Sequence, residues 1–365
     1  MTEKFRADQI GSLLRPEALL TARRGHDAGE VSDAGLREAE DAAITGAVRR
    51  QESSGISVVT DGEFRRRDFR SGFAQAVDGI EMGAWDMPWH SAEGTTRLRS
   101  IAFTATGRLS PRERLAGGEV AFVRSLTSAP VKATLIAPGF LADRFWKDEV
   151  TSRFYSSREE FAADVAAITR AEITALIADG VQYIQLDNPG YGAYLGSHAG
   201  HDPAAFQRVL SADIAAVQGI ERPDGVTVGL HVCRGNQSSK WMGEGDYEPV
   251  AEELFGRLPV DRLLLEYDDE RAGGFAPLRF VPRGTVVVLG LVSSKTGALE
   301  SPDELRARID EAAKYADYED LALSPQCGFA SIAEGGNLLT EDEQYAKLAL
   351  VADVAAAVWG AQPRE

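Results

Sequence analysis

The chain is predicted to fold as one α/β domain, a single (β/α)8 TIM barrel over residues 1–365, with an irregular β-hairpin arm inserted at 74–128. Three observations carry this. Eight strand-like runs, near 5–11, 56–61, 131–137, 182–187, 226–232, 262–266, 285–292 and 320–324, are almost always followed by helical segments, the alternation expected of a parallel barrel. The runs end in polar residues at their carboxyl tips, where such a barrel gathers its chemistry. The first turn carries no glycine fingerprint for a dinucleotide, which counts against a doubly wound open sheet.

Taken in order, FRADQIGS opens the chain as a strand, and an Ala/Glu-rich helix covers 33–52, stopping near Gly55. The run at Ile56 tips into Asp61, Gly62 and Glu63, followed by Arg65, Arg66 and Arg67. Residues 74–128 are the least regular stretch; they contain Trp85, Trp89, His90 and the period-2 run RLRSIAFTATGRL, hence the hairpin arm. From Val131 the rhythm is regular. Ser157 and Glu160 form a capping box, and the helix they open stops at Gly180. Asp202 with Pro203 starts the next helix. Ser301 with Glu304, and Thr340 with Glu343, cap the last two helices.

Hydrophobic residues make up 44% of the chain and charged residues 26%, the balance of a soluble globule. A net charge of −17 argues against nucleic acid or an anionic membrane surface as the main partner. No apolar run is long enough to span a bilayer and no secretion signal is visible, so a reducing cytoplasm is expected.

The chemistry concentrates at VTVGLHVCRGNQ. His231 and Cys233 are two apart on a strand and point to the same side. The other cysteine, Cys327, closes the run LALSPQC, and Glu266 ends RLLLE. Imidazole, thiolate and carboxylate together suit zinc. The alternative is a pair of small buried cysteines beside a chance H-x-C.

In the order IGS, TDGEFRR, QLDNPGY, HVCRGN, LLLEY and SPQCGFAS, the motifs resemble the cobalamin-independent methionine synthase superfamily, in particular short homologues that keep only the carboxyl-terminal catalytic barrel. The resemblance implies a (β/α)8 barrel holding Zn2+ through His231, Cys233, Glu266 and Cys327. It implies that zinc favours the thiolate of a substrate thiol, which attacks an electrophilic carbon. Asp187 and Glu63 match the family's carboxylates for the amino group of homocysteine, and Ser12 the site for its carboxylate. Arg15, Arg65 and Asn236 join the substrate-binding set. Bland alternatives stand beside these roles: a strand-end cap for Asp187, a surface ion pair for Glu63, a turn serine for Ser12.

Several positions depart from the family. The folate-stacking tryptophan after the third strand is missing from LIAPGFL, Asp187-Asn188-Pro189 replaces D-E-P, and Lys295 stands near the place of a proton-delivering histidine. Lys295 is either a general acid, an anchor for an anionic substrate, or a solvated loop residue. His198 and His201 lie in the loop GSHAGHD, where exposed histidines are the usual case, and are left out of the site.

The leading expectation is a zinc-dependent thiol methyltransferase that makes methionine from homocysteine with an unidentified methyl donor. An enzyme like epoxyalkane:coenzyme M transferase is the second expectation, with Arg15, Arg65, Arg66, Arg67 and Lys295 as the cations for a sulfonate. A non-catalytic zinc-binding barrel is the third. The arm is a plausible homodimer contact.

Overall fold

The computed structural model describes residues 5–91, 93–195, 202–333 and 337–360. Two strands, β1 (Val77–Ser91) and β2 (Gly94–Pro111), pair antiparallel as a long hairpin. Six more form one parallel sheet in chain order: β3 (Lys132–Ile136), β4 (Tyr183–Asp187), β5 (Thr227–Val232), β6 (Arg262–Glu266), β7 (Val286–Val292) and β8 (Leu321–Pro325). Nearly every residue of these six is buried, as expected for a sheet covered by helices.

The two earliest runs differ from expectation. Each contributes one bridge, Ala7 to Leu323 and Val59 to Val131, instead of a full strand. The cause is local: side chains capture the backbone donors a ladder would use. Asp8 Oδ1 accepts from Gln9 N at 2.7 Å, Ser57 Oγ from Ala7 N at 3.2 Å, and Gln51 Oε1 from Thr60 N at 2.8 Å. Backbone bonds nevertheless run from Asp8 N to Leu323 O of β8 (2.8 Å), from Ser57 N to Ala7 O (2.9 Å) and from Lys132 N to Val59 O (2.9 Å). Both segments thus occupy the two positions between β8 and β3 that the barrel requires.

A polar brace crosses the barrel interior. Asp8, fully buried, receives Lys132 Nζ at 2.6 Å, Tyr183 Oη at 2.8 Å and Arg262 at 3.3 Å. Lys132 also donates to Gln185 Oε1 at 2.8 Å, and Gln185 Nε2 donates to Asp187 Oδ1 at 2.9 Å. Burial of Lys132 pushes its pKa down to about 8.

The helices start where the caps place them. Ser157, Ser301 and Thr340 each accept from the backbone N–H three residues on, and Thr340 with Glu343 makes the full reciprocal box. Within the segment expected as an arm, the helix Gly117–Leu126 packs Val120 and Val123 into the main core. The hairpin rests on a second apolar cluster of Phe103, Phe140, Phe145, Trp146 and Phe161. No described helix is long and apolar enough to cross a membrane.

Candidate metal centre and active site

β5 delivers His231 and Cys233 to the same end of the sheet, β6 ends on Glu266, and Cys327 follows β8 by two residues. The ligand atoms of these four buried residues all lie within 4.8 Å of one another. His231 Nδ1 lies 3.2 Å from Leu264 O, while its Nε2 is buried without a partner. A buried ring nitrogen left unpaired is costly unless something binds it. Glu266 is held by the Arg234 backbone N–H at 2.6 Å and by Gln326 Nε2 at 3.4 Å.

Burial pushes the His231 pKa down to about 3, which keeps the ring neutral. The hydrogen bond shared with Cys327, followed by burial, pushes the Cys233 thiol well up, and burial raises Glu266. Two thiols, an imidazole and a carboxylate, set in apolar surroundings and facing inward, match the donor set of zinc. The residues fit the ion.

A cavity opens beside them. Glu63, Asp187, Ser12 and Asn236 line it together with His231 and Cys233. Gly62 and Glu63 both have positive φ, 69° and 59°. This strained turn carries Glu63 inward, where it is 3% exposed; it is therefore not a surface ion pair. Its Oε1 accepts from Thr134 Oγ1 at 2.9 Å and from Arg66 at 3.3 Å, while Oε2 is buried without a partner. Burial first, then the charge of Glu63, holds the Asp187 pKa well above the usual carboxylate range. The loop after Asp187 is braced by buried Asp213, which accepts from Asn188 Nδ2 at 2.6 Å, Gly139 N at 2.7 Å and Tyr191 Oη at 2.8 Å.

Other expected residues are placed elsewhere. Arg15 does not line the cavity: its guanidinium is buried against the carbonyls of Leu13 (3.1 Å), Glu63 (2.8 Å) and Ala330. Arg65 turns away to Asp41 and lies 3.8 Å from Glu40. Arg66 bonds Glu119 at 2.5 Å and Arg67 pairs with Asp27, so neither supplies a free sulfonate site. Lys295 is buried rather than solvated, and its Nζ donates to Gly235 O at 3.3 Å and Asn236 Oδ1 at 3.4 Å. His198 and His201 lie outside the described residues.

Cavity residues that sequence reasoning missed come from the arm and its surroundings. Trp85, Met87 and Trp89 alternate along β1, so one face of the hairpin lines the cavity. That period-2 pattern was the available signal. The arm is tied down by paired backbone bonds between His90 and Trp241, at 2.8 and 3.0 Å, and by Ser100 Oγ to Gln237 Oε1 at 2.9 Å. Trp89 packs so closely on Gly235 that a Cβ there would stand 3.0 Å from the ring. Arg70 and Arg144 are the cavity's arginines.

A family model described as "Cobalamin-independent synthase, Catalytic domain" matches residues 5–356. The chain belongs to this family. Among relatives of this catalytic domain, the uncharacterized protein YxjH of Bacillus subtilis (strain 168) is 39% identical, over 97% of this chain and 95% of its own. A methionine synthase of Pyrococcus abyssi is 27% identical, over 87% of this chain and 84% of its own. A crystal structure from Listeria monocytogenes, described as a candidate vitamin-B12-independent methionine synthase, superposes with a TM-score of 0.77 at 31% identity over 99% of both chains. A B12-independent methionine synthase from Shewanella sp. W3-18-1, solved with selenomethionine, shares the fold at a TM-score of 0.77 and 21% identity.

Proposed function

We infer that this chain is a zinc-dependent methyltransferase that moves a methyl group onto the sulfur of homocysteine, releasing methionine. The observation that carries this is the convergence of His231, Cys233, Glu266 and Cys327 on one another, with all but Glu266 lining the cavity that also holds Glu63 and Asp187. Zinc held by those four residues would supply the positive charge that lowers the pKa of a bound thiol. Membership of the family, and relatives named methionine synthases, support the same reading.

The chain's own residues do the rest. Glu63 Oε2, buried and unpaired, together with Asp187, offers two carboxylates to one ammonium group. A cation placed between them relieves the Glu63 repulsion that adds to burial in raising Asp187. Ser12 is positioned to take the substrate carboxylate, and Asn236 is fixed by its bonds to Gly328 O (2.6 Å) and Ser294 Oγ (3.2 Å). The arm's Trp85 and Trp89 line the same cavity. Lys295 acts as a positioning residue for the Gly235–Asn236 turn.

The discriminating experiment offers homocysteine and coenzyme M to the zinc-loaded protein and follows the zinc-edge X-ray absorption spectrum. Addition of a sulfur ligand by homocysteine alone is the expected result. Addition by coenzyme M alone would transfer the protein to epoxide-opening chemistry, and no change with either thiol would remove the thiol-activating role altogether.

A further inference from the structure

We propose that the hairpin arm builds a second subsite, for the methyl donor, and that this subsite selects a small onium carboxylate: a methyl-bearing quaternary ammonium or tertiary sulfonium carrying an anionic group. The inference deepens the methyltransferase reading and rests on it.

Four aromatic side chains, Phe69, Trp85, Trp89 and Phe140, line the same cavity as the metal-binding residues. Phe69 and Phe140 touch, with ring centroids 5.9 Å apart. Their faces already attract cations: Arg70 lies 5.2 Å from the Phe69 centroid, Arg144 5.8 Å from Phe140, and Lys147 Nζ 5.0 Å from Trp85. Walls of this composition hold permanently charged methylated groups, which have no hydrogen to donate and are attracted by ring quadrupoles. Arg144 supplies the counterpart for an anion. It lines the cavity, is about a third exposed, and has its ion-pair contact to neighbouring Asp143 at 3.7 Å, longer than a hydrogen bond.

The proton inventory of the cavity points the same way. Among the described residues, no lysine or tyrosine lines it, and its sole histidine is His231, which belongs to the metal set. Its two carboxyl groups, Glu63 and Asp187, are assigned to the amino acid. A donor whose methyl sits on an uncharged amine nitrogen leaves as an amide anion unless an acid protonates it. An onium leaves neutral and needs no acid.

The step balances without a further reactant. The substrate thiol loses its proton to solvent. The sulfur electron pair forms the new S–CH3 bond while the C–N or C–S bond of the onium breaks, and that bond's pair stays on the departing amine or sulfide.

The test uses the zinc-loaded full-length protein and three probes: glycine betaine, dimethylsulfoniopropionate and S-methylmethionine. Binding is measured by calorimetry and methyl transfer to homocysteine by mass spectrometry. The neutral carbon isostere 3,3-dimethylbutyrate is the control for charge. The expected result is that at least one onium binds and yields methionine, that its neutral isostere binds about tenfold or more weakly, and that Trp85→Leu costs a similar factor while Trp85→Phe keeps most of the affinity. Homocysteine binding, read separately at the zinc edge, should be unchanged in both variants, which also reports an intact fold. Equal binding of betaine and its isostere overturns the proposal, as does failure of all three probes while homocysteine still binds. Failure of homocysteine with retained onium binding would instead sink the thiol reading and leave this subsite standing.

Discussion

The sulfur atoms of Cys233 and Cys327 stand 3.4 Å apart, although 94 residues separate them in the chain. Among the described residues, neither thiol has another strong donor or acceptor to satisfy it, apart from the Gly235 backbone N–H that reaches Cys233 Sγ at 3.2 Å. They form one half of a candidate donor set whose other half, His231 and Glu266, comes from the two adjacent strands β5 and β6.

Metal binding should therefore be stoichiometric, and it should depend on residues behind the ligands. Gln326→Leu removes the amide that reaches Glu266 and also the acceptor for Ser294 N at 2.6 Å. Its zinc affinity is expected to fall about 10- to 100-fold, measured by competition with a chromogenic chelator, as is usual when the partner of a metal ligand is lost. Cys327→Ser should abolish tight binding; a variant that still retains zinc through dialysis against chelator would contradict the four-ligand assignment.

Loss of one carboxylate at the amino-group site should act on the thiol substrate. Glu63→Gln is expected to raise KM for homocysteine about 10- to 100-fold, the worth of a charge-assisted hydrogen bond. A thiol of similar length without an amino group should be nearly indifferent to the change. Steady-state kinetics with the two thiols separates this from general damage to the fold.

Proton linkage at Asp213 has a definite sign. Burial raises its pKa to about 6, so the folded protein binds this proton more tightly than the unfolded chain. Its stabilising contribution is complete below the unfolded value of about 4 and is lost as pH rises to about 6, a change of about 3 kcal/mol. His231 in metal-free protein opposes it, because its folded pKa of about 3 makes stability rise with pH up to about 6.5. Urea titrations of wild type and Asp213→Asn at matched pH cancel the histidine term. The difference between them should flatten above about pH 6; a pH-independent difference would remove the linkage.

Gly328 tests the placement of Ser12. A Cβ at this position would lie 2.0 Å from Ser12 Oγ, so Gly328→Ala must push the serine out of the cavity. The expected result is a raised KM for homocysteine together with a loss of about 1–3 kcal/mol in stability by thermal denaturation.

The convergence of the four candidate metal ligands was legible because each sits at or just past the end of an apolar run that marks a strand, and parallel strands in a barrel bring their tips together. The caps at Ser157, Ser301 and Thr340 were legible because the pattern is local and spans only four residues. Arg15 and Arg65 were misplaced because their partners, the carbonyl of Ala330 and the carboxylate of Asp41, are brought near only by the tertiary fold. The aromatic wall was missed for the opposite reason. Trp85 and Trp89 were visible, but nothing local says that their hairpin folds back over the sheet, where Trp241 holds it.

The buried Asp8 brace has a consequence for how the chain is made. Its carboxylate is synthesised before its partners Lys132, Tyr183 and Arg262, and the adjacent Ala7 waits for Leu323. Until those arrive, an emerging chain lacks the partners of a charge that the finished protein buries fully. The segment preceding Lys132 is thus no resting point for folding on the ribosome, and the stretch around Asp8 is among the last to find its place.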